Sequence, residues 1–379
     1  MTAETILTNA LLVLPRETMP GTLLLRDGCI AAIDAGRSDA PGAIDLGGDT
    51  LIPGAVDLHS DNLERQVHPR SSARWPSREA MIAHDAQCAV AGVTTVFDAL
   101  CVGDLGYEKD RNRTYQEAVL DLDGLAGTGL LRIEHLLHLR CEVPAPDTAD
   151  LLEAAADHAL VRLASLMDHS PGVGQYADLD RYRILRRRDG EDDETIERRI
   201  TEMLDRRAEL RDPNRQTLLG RLRGIGVAIA SHDDRTEDEV EENHRDGIAI
   251  SEFPVTVEAA RAARARGMAV IGGAPNVVRG GSHSGNVAVA ELLAAGLLDA
   301  LASDYVPGSM VTAAFRAAAL GLLPLPQAIA LISLHPARIA GLEDRGAIAA
   351  ELAADLVRVR VHDGMPVVMQ TWRAGTRVA

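Results

Sequence analysis

From about residue 53 to 344 the chain alternates short apolar runs with longer amphipathic stretches. The apolar runs are GAVDLHSD, GVTTVFDAL, LLRIEHLLHLRCE, LVRLASLMDHS, GVAIASHDD, GIAISEFP, GMAVIGGAP and LLDALASDY. Their length and β-branched content are those of buried strands. Helical stretches such as SREAMIAHDAQCAVAG, TADLLEAAADHA and TVEAARAARARG lie between them. This alternation predicts parallel β/α units. Polar residues collect at the C-terminal ends of the runs. That favours a closed, distorted (β/α)8 TIM-like barrel over an open sheet, because a barrel gathers its site at that rim.

Both ends of the chain read differently. Residues 1–52 and 345–379 are short alternating runs punctuated by Gly and Asp, which predicts a small β-sandwich domain built from the two ends around a barrel at 53–344. Residues near 175–224 break the β/α rhythm with a highly charged, helically spaced segment. A solvated helical insertion is the expectation there; a lid, or an arm contacting a second copy in a homo-oligomer, is the sharper alternative.

Composition narrows the classes. No apolar run approaches the roughly 18 residues of a membrane helix, and the N-terminus lacks the basic start and small-residue cleavage site of a signal peptide. Cys29, Cys88, Cys101 and Cys141 are scattered with no C-x-x-C pair, so a cytoplasmic protein without a disulfide framework is expected. A formal charge of −17 over 379 residues argues against nucleic-acid binding, but not against a small anionic substrate held by local arginines. The chain has a single lysine, Lys109.

Ligand-type residues recur at strand ends. LIPGAVDLHSDNLE closes on His59 and Asp61, two apart and so on one side of a strand. His138, Arg140 and Glu142 share one face of the third run, and later runs end at His169, His232 and Asp304. Each alone is more often structural. Six converging at one mouth suggest a mixed N/O metal site suited to Zn²⁺ or Mn²⁺, with Fe²⁺ or Mg²⁺ also compatible. Such a set fits two ions sharing a carboxylate bridge. The expected arrangement puts one ion between His59, Asp61 and Asp304 and the other on His169 and His232, with Glu142 bridging. A metal-bound hydroxide would attack, and Asp304 would orient it and accept its proton.

Around this set lie candidate phosphate ligands. GAPNVVRGGSHSGN is a Gly/Ser-rich loop running toward a helix, a pattern that can cradle anions through backbone N–H groups. Arg279, Ser282, His283 and Asn286 would add charge and hydrogen bonds. Arg65, His68, Arg70 and Arg140 are further candidates, because guanidinium forks match phosphate oxygens. His138 and Asp98 are expected to support the ligands from behind. The Asp233-Asp234 pair could do the same or cap a loop.

The opening β segment, LIPGAVDLH, the strand-end set and the closing LHPARIAGLEDRGAIAAELAADLVRV resemble the amidohydrolase superfamily over essentially the whole chain. Many members carry H-x-H on the first strand and a carboxylated lysine as bridge. Here Asp61 replaces the second histidine, and Lys109 lies well past the end of its strand, so an unmodified carboxylate must bridge. DLHSDNLE, HLLHLRCE, LMDHSPGVGQY, SHDD, GAPNVVRGGSHSGN and LASDY together resemble the diphosphatases of the carbon–phosphorus lyase pathway. That resemblance implies cleavage of α-D-ribose 1-methylphosphonate 5-triphosphate to the 5-phosphate and pyrophosphate. An amidase or cyclic-imide hydrolase, and a non-catalytic scaffold relative, are the alternatives.

Overall fold

A computed structural model of the chain describes residues 4–70, 73–106, 110–282 and 285–379. Five strands come first: β1 (Glu4–Val13), β2 (Thr18–Arg26), β3 (Cys29–Ala35), β4 (Ile44–Asp45) and β5 (Thr50–Pro53). Eight more follow through the middle: β6 (Ala55–Ser60), β7 (Val93–Val102), β8 (Glu134–Glu142), β9 (Val161–Met167), β10 (Ala228–His232), β11 (Ile250–Glu252), β12 (Ala269–Gly273) and β13 (Ala300–Ala302). The chain closes with β14 (Leu356–His362), β15 (Met365–Arg373) and β16 (Thr376–Arg377).

Strands β1–β5 and β14–β16 form one hydrogen-bonded sheet, mostly antiparallel, in the order β16-β15-β14-β5-β1-β2-β3 with β4 beside β1. Leu7, Leu12, Leu23, Leu25, Leu51, Leu356 and Trp372 form its core. The unit expected from the two chain ends is thus a single continuous ladder.

Strands β6–β13 pair in sequence order, all parallel. Every residue of β6 and β7 is buried, as a sheet covered on both faces requires. Val56, Leu58, Phe97, Leu136, Leu163, Ile250 and Ile271 fill the inside. Helices α1 (Asn62–Val67), α2 (Ser77–Val90), α3 (Arg111–Leu125) and α4 (Thr148–Ala155) follow the first strands. The first and last strands meet: Asp304 N–H donates to the His59 carbonyl at 2.9 Å, and Asp61 N–H donates to the Asp304 carbonyl at 2.7 Å. The barrel is therefore closed through the residues that flank the predicted metal ligands.

The charged insertion folds as α5 (Leu179–Arg188) and α6 (Asp193–Ile225), the latter 33 residues long. Asp192 caps α6 by accepting from Thr195 N–H at 2.8 Å, and Gly226 ends it in the left-handed region at φ 72°. Its second half seats Leu218, Leu219 and Leu222 in the barrel's outer core. Its first half packs Ile196 and Ile200 on Tyr182 of α5. The expectation of a merely solvated insertion is corrected: α5 and α6 reach the barrel mouth. Among the described residues no helix is long and apolar enough to cross a membrane.

Candidate active site

The strand C-termini open into a cavity of about 350 Å³. His59, Asp61, Arg140, His169, His232 and Asp304, all anticipated from strand ends, line it together. A bulge helps. Between Asp57 and Ser60 the β6 register slips against β7, so His59 turns to the inner side already occupied by Leu58.

The three histidines share one arrangement. His59 Nδ1 lies 2.8 Å from one oxygen of Glu252, and His232 Nδ1 lies 2.9 Å from the other. His169 Nδ1 lies 2.7 Å from Glu142, whose second oxygen accepts the His169 backbone N–H at 2.8 Å. Each ring is thereby fixed with Nε2 left to face the cavity, the geometry that carboxylates impose on metal-binding histidines. Glu142, expected to bridge two ions, instead has both oxygens committed to His169. Glu252, at the end of β11, is the carboxylate that spans two histidines, and sequence reasoning missed it although GIAISEFP ends on it as the other runs end on theirs.

The donor set fits divalent cations. His59 Nε2 is fully buried and has no hydrogen-bond partner, and neither does Asp233 Oδ2. Among the described residues, two triads whose members all line the cavity have ligand atoms within 4.8 Å of one another: His59, Asp61 and Asp304, and His169, His232 and Asp233. Burial, and then the charge of Asp61, push the Asp304 carboxyl up to about 7. Burial opposes charge on His59, yet the carboxylates of Glu252 and Asp61 together outweigh it and push the ring up to about 10. Carboxylates grouped beside imidazole nitrogens that face them make a mixed N/O donor set that a cation would complete.

Backbone strain gathers at the same rim. Asp233, Phe253 and Asp304 directly follow β10 and β11 or close β13, with φ of 59°, 55° and 54°. For Phe253 that conformation is a costly outlier. It sets the ring edge-on to His59 at 4.9 Å and to His232 at 5.6 Å.

Other predicted residues divide. Arg140 donates to Asp61 at 2.7 Å from a buried position. His138 lies under His59, ring centroids 5.1 Å apart, with its nitrogens 3.0 Å from the Leu58 carbonyl and 3.0 Å from Ser165 Oγ. Burial pushes it down to about 3, so it is neutral. Arg279, Ser282 and Asn286 line the cavity, while His283 and Lys109 lie outside the described residues. In the helix after the glycine-rich loop the first N–H, on Val289, is committed to Asn276 Oδ1 at 2.9 Å.

Four predicted residues lie elsewhere than expected. Arg65 does not line the cavity; it donates to the Tyr305 carbonyl at 2.7 Å from an exposed position. Arg70 is exposed beyond α1 and also lies outside the cavity, because α1 begins one residue after Asp61 and carries the chain away. His68, from the same stretch, contacts Arg74 at 3.2 Å. Asp98 faces the helix layer, where it holds His84 of α2 at 2.7 Å and His135 of β8 at 2.8 Å. Phe97 occupies the barrel interior, so its neighbour must point out. The Asp233-Asp234 pair also separates: Asp233 lines the cavity, while Asp234 is buried, binding Ser231, Ser251 and Asn243 at 2.5–2.7 Å.

The remaining polar lining came from outside the strand ends. Arg111 opens α3; against burial, Asp61 is held low chiefly by Arg140 and His59, and Glu142 chiefly by His169, with Arg111 adding a smaller share to each. Tyr176, Tyr182, Arg186 and Arg199 come from the insertion.

The fold, a parallel barrel with a sheet built from both chain ends, is that of solved amidohydrolase structures. A solved amidohydrolase matches with a TM-score of 0.62 at 15% identity, covering 99% of this chain and 98% of that one. The 5-methylcytosine deaminase of Klebsiella pneumoniae matches with a TM-score of 0.63 at 16% identity, covering 99% and 98%. No family model matches the chain. The α-D-ribose 1-methylphosphonate 5-triphosphate diphosphatase of Escherichia coli (strain K12) is 42% identical over 376 residues, 98% of this chain and 100% of that protein. The chain belongs to that diphosphatase family.

Proposed function

We propose that this chain hydrolyses α-D-ribose 1-methylphosphonate 5-triphosphate to the 5-phosphate and pyrophosphate. The observation that carries the reading is the full-length 42% identity to the Escherichia coli diphosphatase. The cavity supports it: Arg111, Arg140, Arg186, Arg199 and Arg279 all line it, more positive charge than a neutral ring amide needs.

Two divalent cations fit, Zn²⁺ or Mn²⁺ by donor type, one at His59, Asp61 and Asp304 and one at His169, His232 and Asp233. Such ions supply Lewis acidity, drawing charge from a phosphoryl oxygen and from the attacking water. The chain does the rest. Glu252 and Glu142 hold the imidazoles in one tautomer and orientation. Asp304 accepts the proton of the attacking water. Arg140, positioned by Asp61, and Arg111 neutralise charge on the phosphoryl oxygens. The water oxygen bonds to one phosphorus, the anhydride P–O bond breaks, and its electron pair leaves on the bridging oxygen. Attack at the α- or the β-phosphorus gives the same products, which ¹⁸O-labelled water distinguishes.

The test is pyrophosphate release from ribosyl and nucleoside 5′-triphosphates with added Mn²⁺ or Zn²⁺ and an EDTA control. Metal-dependent release, fastest with the phosphonate-bearing substrate, is expected. Metal-loaded protein that releases no pyrophosphate but opens cyclic imides would overturn the reading.

A further inference from the structure

Resting on that reading, we propose that the cavity sorts the two anionic ends of its substrate between two sides of the barrel mouth. Arg186 and Arg199, delivered by the helical arm, grip the terminal pyrophosphate, and Arg279 receives the phosphonate at C1.

The sides follow from topology. In a closed barrel of eight strands, strands four apart in order face each other, so β8 faces β12 and β9 faces β13. The α6 part of the arm is pinned over β7–β9, while the start of α5 reaches the glycine-rich loop after β12, where Arg181 lies beside Gly285. Arg206 donates to the Leu105 carbonyl at 2.5 Å, Asn214 to the Val143 and Ala145 carbonyls at 2.9 and 2.8 Å, and Arg207 to Asp168 at 2.6 Å. Arg279 ends the helix after β12 and reaches Tyr305 Oη, beyond β13, at 3.5 Å.

Arg186 and Arg199 converge on one ring. The Arg186 guanidinium lies 5.4 Å from the Tyr182 centroid, and the charges of both arginines act on the Tyr182 phenol. Tyr182 meets Tyr176 edge-on at 5.5 Å, and Tyr176 meets His169 at 6.1 Å. Two aromatic contacts therefore link the arm to the reacting centre. Arg186 holds Asp189 at 3.3 Å and Arg199 holds Glu191 at 2.5 Å. A guanidinium carries five N–H donors, more than a single carboxylate can accept from.

Charge assigns the ends. A terminal diphosphate carries roughly three negative charges near neutral pH, because each phosphoryl group contributes between one and two. A phosphonate ester carries one. With Arg111 at the start of α3, after β7, the arm side offers three guanidinium forks, beside the carboxylates Asp189, Glu191 and the cavity-lining Asp104, so the count that matters is of N–H donors for phosphoryl oxygens. The other side offers one, with the Ser282 hydroxyl and the Asn286 amide to complete the oxygen contacts. The more highly charged end belongs with the arm.

Inorganic pyrophosphate is the probe, titrated calorimetrically into the Mn²⁺-loaded full chain and used as an inhibitor of turnover. Arg186→Gln and Arg199→Gln should each weaken pyrophosphate binding about tenfold. They should raise KM alike for ribosyl 5-triphosphates with and without the C1 phosphonate. Arg279→Gln should leave pyrophosphate binding unchanged and raise KM only for the phosphonate-bearing substrate. Unchanged pyrophosphate affinity in the Arg186→Gln, Arg199→Gln double variant, with circular dichroism matching wild type, would overturn the assignment. So would weakened pyrophosphate binding in Arg279→Gln. A wild-type protein that turns over no triphosphate removes the functional reading, while the calorimetric arm still decides whether the arm grips pyrophosphate.

Discussion

Two histidine–carboxylate clusters sit about one barrel, one at the mouth and one in the wall. The wall cluster joins His84 and Asp85 of α2, Asp98 of β7 and His135 of β8, and His84, Asp98 and His135 have ligand atoms as closely grouped as those at the mouth. By residue type and proximity the two are alike. Their bonding differs. In the wall, His135 spends both nitrogens on Asp98 and Asp85, at 2.8 and 3.4 Å, while His84 meets Asp98 and Asn62 at 2.7 and 2.9 Å. At the mouth each imidazole spends one nitrogen on a glutamate, while the other faces the cavity-lining carboxylates, His59 Nε2 lying 3.3 Å from Asp61 outside hydrogen-bond geometry. A cluster binds when its last donor atom is aimed at open space; when every donor meets a neighbour, it is a fastener between helix and strand.

Exchanging roles at the mouth should have the largest effect. His232→Ala is expected to lower kcat on the order of 10³-fold with loss of bound metal. Glu252→Gln, which keeps the ligands but loosens two of them, should cost about 10- to 100-fold in metal affinity. Metal analysis of the purified variants, beside steady-state rates, checks both. Activity that survives full metal loss would refute the site.

The wall should answer in stability instead. Asp98→Ala strands the positive charge of His135 in a buried position, and about 3–5 kcal/mol should be lost in urea unfolding while metal per folded chain stays at the wild-type value. Metal loss in a folded Asp98→Ala protein would erase the distinction between the clusters.

A smaller effect is pH-dependent. Burial opposes the charge of His135, but Asp98 and Asp85 outweigh it and push the ring up to about 9. In the unfolded chain the value is roughly 6.5. The contribution to stability is therefore complete below about pH 6.5 and is lost as pH climbs through 9. The stability advantage of wild type over His135→Gln should shrink by on the order of 1–3 kcal/mol between pH 6.5 and 9. An advantage that grows over that range would show His135 buried as the neutral ring.

Much of this was legible in the sequence. Strand ends marked His59, His169, His232 and Asp304, because a parallel barrel concentrates polar residues only where its strands stop. Asp98 was misread for a related reason. In a strand buried on both faces, as β7 is, hydrophobicity does not alternate, and nothing in VTTVFDAL distinguishes inside from outside. Arg65 and Arg70 were misread because the chain leaves the mouth on α1 immediately after Asp61. Arg186 and Arg199 were invisible in a run of charge that looks the same whether it meets water or substrate. Only the seating of Asn214, Leu218 and Leu222 against the barrel turns that run over the cavity.

The seam between β6 and β13 has a consequence for biosynthesis. Asp61 and Asp304 lie 243 positions apart, yet each backbone completes the pairing of the other's strand. A growing chain holds half of its reactive centre almost from the start and must wait for the rest until nearly the whole barrel has been made. Contacts of such long range form late. A ribosome-stalled or truncated product therefore has no working half-site with which to consume a phosphorylated metabolite.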